Sequence, residues 1–135
     1  MTNFKQQAVK VDFNKLSEFF VRDQNVACAI VFGSSQYGSI APGSDLDIGI
    51  LFKTPPKNSI EEFEYYRKLC DFADFADVVD MVVMNNANEI LAFEILNGRY
   101  VDKKDPEKNA EFFSYTCRVY EDTMYTQKRA GNLVD

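Results

Sequence analysis

The sequence predicts an α/β (α+β) domain, a small mixed β-sheet flanked by helices. Three observations predict it. Short apolar runs of strand character alternate with segments whose apolar residues recur at helical spacing. The joints between them carry Pro, Gly, Asn and Asp, which stop ladders and cap helices. Of 135 residues, 46% are hydrophobic and 27% charged, near the globular average, and 12 Phe and 7 Tyr supply core volume in the absence of Trp.

The elements follow in order. Asp12 to about Arg22 carries Leu16, Phe19 and Phe20 on one helical face. Val26–Phe32 is an apolar strand. A Gly- and Ser-rich loop leads to a second strand, Asp45–Phe52, which Thr54-Pro55-Pro56 stops because Pro cannot donate to a ladder. Asn58 or Ser59 caps a helix running to about Phe75, with Ile60, Phe63, Leu69 or Cys70, and Phe72 turned inward. Strand Asp77–Met84 comes next. Asn85-Asn86 caps a short helix, Asn88 to Asn97, with Gly98 as its C′ residue. Asp105-Pro106 starts the last helix with an acidic N-cap and Pro in the first turn. That helix runs toward Ala130, and Gly131 closes it. Its Ala110, Phe113, Cys117, Tyr120 and Met124 alternate three-and-four spacing, with Phe112 and Val119 beside them. The stripe closes the domain's own core and leaves a flank for a partner.

No repeat, low-complexity tract or linker divides the chain, so residues 1–135 read as one domain. A chain of this length buries roughly two-thirds of its unfolded surface, enough for a core without staples. No apolar stretch approaches the ~20 residues of a membrane span. The N-terminus MTNFKQQAVKVD has no signal-peptide apolar segment. Cys28, Cys70 and Cys117 lie far apart without CxxC spacing, which reads as reduced thiols in the cytoplasm rather than a zinc site. There is no His, which excludes the usual hydrolase triad and His-based metal sites. The net charge of -6 speaks against a nucleic-acid acceptor but not against a metal-bound nucleotide, which meets local charge.

The run VFGSSQYGSIAPGSDLDIGILF, Val31 to Phe52, carries the chemistry. Residues at i and i+2 of a strand share a face, so Asp45 and Asp47 point one way and Leu46, Ile48 and Ile50 the other. Two carboxylates that close repel one another unless a cation joins them. Magnesium suits them: it takes oxygen ligands, keeps waters and is shared with substrate phosphates. The small residues before them let backbone N–H groups form an anion-binding nest. Together these are the parts for phosphoryl or nucleotidyl transfer. An EF-hand fails, since Gly49 and Ile50 stand at its fifth and sixth positions. A Walker A loop fails for want of Gly-Lys-Ser/Thr. A glycosyltransferase DxD would explain the acids but not the upstream Gly-Ser. Within DVVDMVVM, Asp80 shares a strand face with Val82 and Met84, where an unpaired carboxylate is costly. Asp77 sits at the strand's start. Asp80 is therefore the preferred third carboxylate.

These residues resemble the minimal nucleotidyltransferase family of the DNA polymerase β-like superfamily. The signature is Gly33-Ser34, Gly38, ten residues between Ser34 and Asp45, then Asp45-x-Asp47, with Ser44 before the first Asp. The stretch VDMVVMNNANEILAFEILNGRYVDKKDPE continues the resemblance, which covers roughly residues 25–125. It implies a polymerase β-like fold, with Asp45 and Asp47 holding two magnesium ions. It implies that Asp80 holds the catalytic ion and helps deprotonate the attacking hydroxyl, and that Gly33, Ser34 and Ser44 hold the triphosphate of ATP. Many members carry Arg between the Ser and the Gly. Here Ser35, Gln36 and Tyr37 stand there, leaving Lys53, Arg67 or Arg99 as replacement cations. Tyr37 either stacks on a base or packs locally. Small stand-alone members are similar in role to antitoxins that move AMP from ATP to a tyrosine of a HEPN-domain ribonuclease toxin encoded beside them. The resemblance therefore implies a protein adenylyltransferase antitoxin with a HEPN toxin as partner. Small-molecule nucleotidylation, of the aminoglycoside type, and a non-catalytic binding antitoxin are the alternatives.

Overall fold

The computed structural model describes residues 7–134. Its elements are β1 (Val9–Lys10), α1 (Phe13–Val21), β2 (Val26–Phe32), β3 (Ser39–Ile40), β4 (Leu46–Phe52), α2 (Ser59–Phe72), β5 (Val79–Val83), α3 (Glu89–Leu96), β6 (Arg99–Asp102) and α4 (Pro106–Val134). A four-stranded mixed sheet has the order β5-β4-β2-β6. β2 is antiparallel to both β4 and β6, and β4 is parallel to β5 through the α2 crossover. A parallel pair needs such a crossover because the chain must return to the same end before pairing again.

β2 is buried along its whole length and β4 nearly so, which is why both read as continuous apolar runs. Leu46, Ile48, Ile50 and Phe52 pack with Leu16, Phe20 and Leu69 from α1 and α2. The other face of the sheet, with Leu51, Phe32 and Ile30, packs with Ile95, Leu96 and Phe112 from α3 and α4. Gly49 belongs to this second face. A Cβ there would stand 2.4 Å from Ile95 Cγ2, so the close approach of α3 requires Gly. Lys104 ties α1, β2 and β6 by donating to the carbonyls of Phe20 (2.8 Å) and Val26 (3.3 Å) and to Asp102 Oδ2 (2.9 Å).

Several expectations need correction. The inner face of α2 is Tyr65, Leu69 and Ala73 with Phe72 against Phe19, whereas Ile60 and Phe63 are 71% and 58% exposed. Asn58 is the cap of that helix, accepting from Glu61 N–H at 2.9 Å. Asn88, not Asn85 or Asn86, caps α3. Asn85 instead clasps the backbone of Phe52, accepting from its N–H at 2.9 Å and donating to its carbonyl at 2.8 Å. Gly98 does follow α3, but its φ is not positive. It is Gly because a Cβ would meet the Val31 carbonyl at 2.5 Å. In α4 the buried residues are Asn109 and Thr116, with Phe112 and Tyr120 half-buried and Phe113 exposed, so the packed face lies about one residue from the expected stripe. Gly131 lies within α4, which continues to Val134. Asp105 caps α4 as expected, accepting from Lys108 N–H at 3.0 Å. The short strands β1, β3 and β6 were not expected.

Gly49→Ala tests the close approach of α3. We expect a loss of about 1–3 kcal/mol in urea unfolding from overpacking against Ile95. Ile95→Ala in the same chain should make the glycine substitution nearly neutral, and equal losses in both backgrounds would contradict the packing account.

Candidate active site

The site lies at one end of the sheet, where β2 leaves and β4 and β5 enter. Beyond Phe32 the chain turns sharply through a 3-10 turn, Gly33–Tyr37, that ends at Gly38 in the left-handed region (φ 110°). Gly33 is also left-handed (φ 67°). Ser35 is fully buried and donates to the Phe32 carbonyl at 3.3 Å, while Gln36 Nε2 donates to the Gly33 carbonyl at 2.9 Å. The rest of the loop is held from outside: β3 pairs with β1, Val11 N–H donates to the Gly38 carbonyl (3.0 Å), and Ile40 is buried. Ser34 is exposed, and Ser44 donates its N–H to the Ala41 carbonyl at 3.0 Å in the turn before the acids.

Asp47 occupies the centre. In the sheet register it stands opposite Phe32 on one side and Asp80 on the other. A Cβ on Gly33 would lie 2.7 Å from Asp47 Oδ2, so the carboxylate rests directly on the loop glycine. Asp45, exposed, precedes β4 on the same side. Asp80 is exposed on the edge strand β5. Partial burial, the charges of Asp80 and Asp45, a hydrogen bond with Asp80 and the charge of Glu94 raise the Asp47 pKa to about 6. Asp77 stands apart, at the entry to β5 beside Pro42–Ser44. Parallel pairing thus brings Asp80, and not Asp77, to Asp47.

Of the expected cations, Lys53 and Arg99 do not join this group. Lys53 follows the far end of β4, six residues and roughly 20 Å of strand from Asp47. Arg99 lies 3.6 Å over the Phe13 ring and lines a cleft with Lys10 and Asp12 on the α1 side of the sheet. Arg67 is an exposed residue of α2. Tyr37, 83% exposed, does not pack locally. Cys28 is buried against Asn109, and burial, with the charge of Asp102, pushes its thiol up to about 12, which removes it as a nucleophile.

Residues 14–107 match the family model described as "Polymerase beta, Nucleotidyltransferase". The chain belongs to this nucleotidyltransferase family. No curated protein matches it at a significant level. Solved structures share its fold at low identity. A toxin–antitoxin with AMP-PNP is 20% identical, with a TM-score of 0.73, covering 92% of this chain and 98% of that one. A toxin–antitoxin MntA–HepT structure is 18% identical, with a TM-score of 0.66 and coverage of 90% and 95%. A Shewanella oneidensis structure, a tri-AMPylated HEPN toxin in complex with an MNT antitoxin, is 18% identical, with a TM-score of 0.64 and coverage of 90% and 98%.

The nucleotidyltransferase's acids fit a divalent cation. They are hard oxygen donors, and partial burial together with their mutual repulsion raises the Asp47 pKa to about 6, a cost that a cation relieves. Among the described residues no three such groups surround a common point. Two neighbours escaped the sequence reading. Glu94, on α3, adds its charge to Asp47, and Tyr66, on α2, lies near Asp80 and Asp45. The signal for Glu94 was an acid within the apolar run EILAFEIL; Tyr66 offered none.

The burial and crowding of Asp47 predict a pH signature. The folded protein holds the Asp47 proton up to about pH 6, whereas the unfolded chain releases it near 3.8. Between those values the folded state binds more protons, so this group lowers stability as pH rises, and above about 6 the cost is complete. In EDTA, Asp47→Asn should remove that decline and raise the Tm at pH 7. A wild-type Tm that rises in parallel with the variant from pH 4 to 7 would contradict the raised pKa of Asp47.

Proposed function

We propose that this chain is a magnesium-dependent protein adenylyltransferase, the antitoxin partner of a HEPN-domain ribonuclease toxin, which moves AMP from ATP to a tyrosine of that toxin. The observation that carries the reading is the register pairing of Asp47 with Asp80 beside the Gly33-Ser34 loop. Family membership supports nucleotidyl transfer. The fold shared with toxin–antitoxin structures, one with AMP-PNP and one with a tri-AMPylated HEPN toxin, supports the partner and the acceptor. We take residues 1–135 as a single nucleotidyltransferase domain working in the cytoplasm. No helix among the described residues is long and apolar enough to cross a membrane, and the three cysteines are free.

In this reading Asp45 and Asp47 would hold two magnesium ions, and Asp80 would be a further ligand of the catalytic one. Magnesium supplies neutralisation of phosphate charge and lowers the pKa of a hydroxyl beside it. Gly33 and Ser34 offer the loop backbone to the triphosphate, with Ser44 beside them. Asp80 orients the acceptor hydroxyl and takes its proton, a task for a carboxylate in a chain without His. The acceptor oxygen forms a bond to the α-phosphorus as the bond to the bridging oxygen breaks, and pyrophosphate leaves.

The test is intact mass spectrometry of the HEPN protein encoded beside this chain, incubated with it and Mg-ATP. We expect additions of AMP mass, abolished by Asp80→Asn and Asp47→Asn and little changed by Asp77→Asn. Mg-ATP should raise the Tm of the free wild type well beyond ATP with EDTA. Binding to the folded state alone stabilises by about 2.7 kcal/mol at a hundredfold excess over Kd. A partner whose mass stays constant while the complex forms and inhibits would replace catalysis by binding alone.

A further inference from the structure

We propose that the cleft between α2 and the free edge of β5 is the docking site for an extended, basic, tyrosine-bearing segment of the protein acceptor. This rests on the adenylyltransferase reading and adds where the acceptor binds and what it carries. The cleft, about 350 Å³, is lined by Glu62, Phe63 and Tyr66 of α2 and by Asp80 and Met81 of β5. That volume suits one aromatic side chain with its neighbours. β5 ends the sheet order, so one side of it bonds β4 and the other has no strand partner among the described residues. An open edge of this kind recruits an extended segment through main-chain hydrogen bonds, while pockets beside it read alternate side chains.

The chemistry of the occupant follows from the lining. The Phe63 and Tyr66 rings lie 6.2 Å apart and tilted by 32°, and Ile60 extends this ridge along the exposed face of α2. Three large apolar or aromatic side chains at i, i+3 and i+6 on a surface helix suit an aromatic partner. Both charged residues lining the cleft, Glu62 and Asp80, are acids, and the chain's net charge is -6. A segment with Lys or Arg is attracted there.

The position also separates acceptor from nucleotide. Gly33 of the loop touches Asp47 from the β2 side, and Asp80 reaches it from the β5 side. In-line transfer needs the attacking and leaving oxygens on opposite sides of phosphorus. A segment along the β5 edge brings a tyrosine hydroxyl to Asp80 from the side away from the loop.

The experiment measures initial rates of AMP transfer onto the neighbouring HEPN protein against its concentration. Phe63→Ser and Glu62→Lys should each raise the KM for that protein about tenfold, the size of an interface anchor's loss. The kcat and the KM for ATP should stay near wild type. Phe63 is 58% exposed and outside both core clusters, so its replacement leaves the fold intact. Ile90→Ser, at an exposed position on α3, serves as control and should change nothing. Unchanged partner KM in both variants overturns the proposal. A rise confined to the KM for ATP also overturns it and assigns the cleft to the nucleotide base. If the wild type transfers no AMP, the adenylyltransferase reading fails by itself. Calorimetric Kd for the partner then decides docking: a tenfold weaker Phe63→Ser supports it, and equal affinity overturns it.

Discussion

The pairing of Asp47 with Asp80 across the parallel β4–β5 ladder is the constraint on which the rest depends. Side chains on adjacent strands at matched register share a face and lie close together. Partial burial disfavours the charge on Asp47, Asp80 repels it, and Asp45 and Glu94 add to the field, so Asp47 keeps its proton to about pH 6. A fold meant only for stability would not place acids there. Burial of Leu46, Ile48 and Ile50 on the opposite face holds β4 in this register, because a slip of one residue would turn those side chains to the other face. The apolar core therefore imposes the electrostatic strain at the site.

Glycine makes the arrangement sterically possible at two points on one face of the sheet. At Gly33 a left-handed backbone and the approach of Asp47 Oδ2 both exclude a side chain. At Gly49, one pleat further along, α3 sits so close that Ile95 fills the space of a Cβ. The first lets the loop meet the acid, and the second seats the helix that carries Glu94. The loop between Gly33 and Ser44 has little regular structure, yet the β1–β3 pair and the buried Ser35 and Ile40 pin it from both sides. In the proposed role of holding a triphosphate, such restraint would help, since the loop's N–H groups need not be ordered again when the anion arrives.

Much of the fold was legible because it follows local rules. The caps at Asn58 and Asp105, and the continuous apolar strands, need only neighbours in sequence. The errors came where a helix face depends on what crosses it. In α2, Ile60 and Phe63 have the spacing of core residues but lie beyond the sheet edge, and Tyr65 takes the inward place beside Phe52. In α4 the packed face is set by partners: Asn109 meets Cys28, Tyr120 stacks on Phe93 at 4.2 Å, and Thr123 donates to Glu89. Strands of two to four residues, β1, β3 and β6, have no periodicity to read and exist because a neighbour supplies their hydrogen bonds.

By itself the sequence determined that acids follow a small-residue loop at a strand's start, that Asp80 shares a face with core positions, and that no imidazole takes part. These are statements about order and two-residue periodicity along a single chain. The tertiary structure decided that Asp80 lies opposite Asp47, that Glu94 and Tyr66 come near them, and that Lys53 and Arg99 do not. Those distances span strands and helices far apart in sequence. Which residues meet across them depends on strand order, ladder register and helix crossing, none of which a single segment encodes.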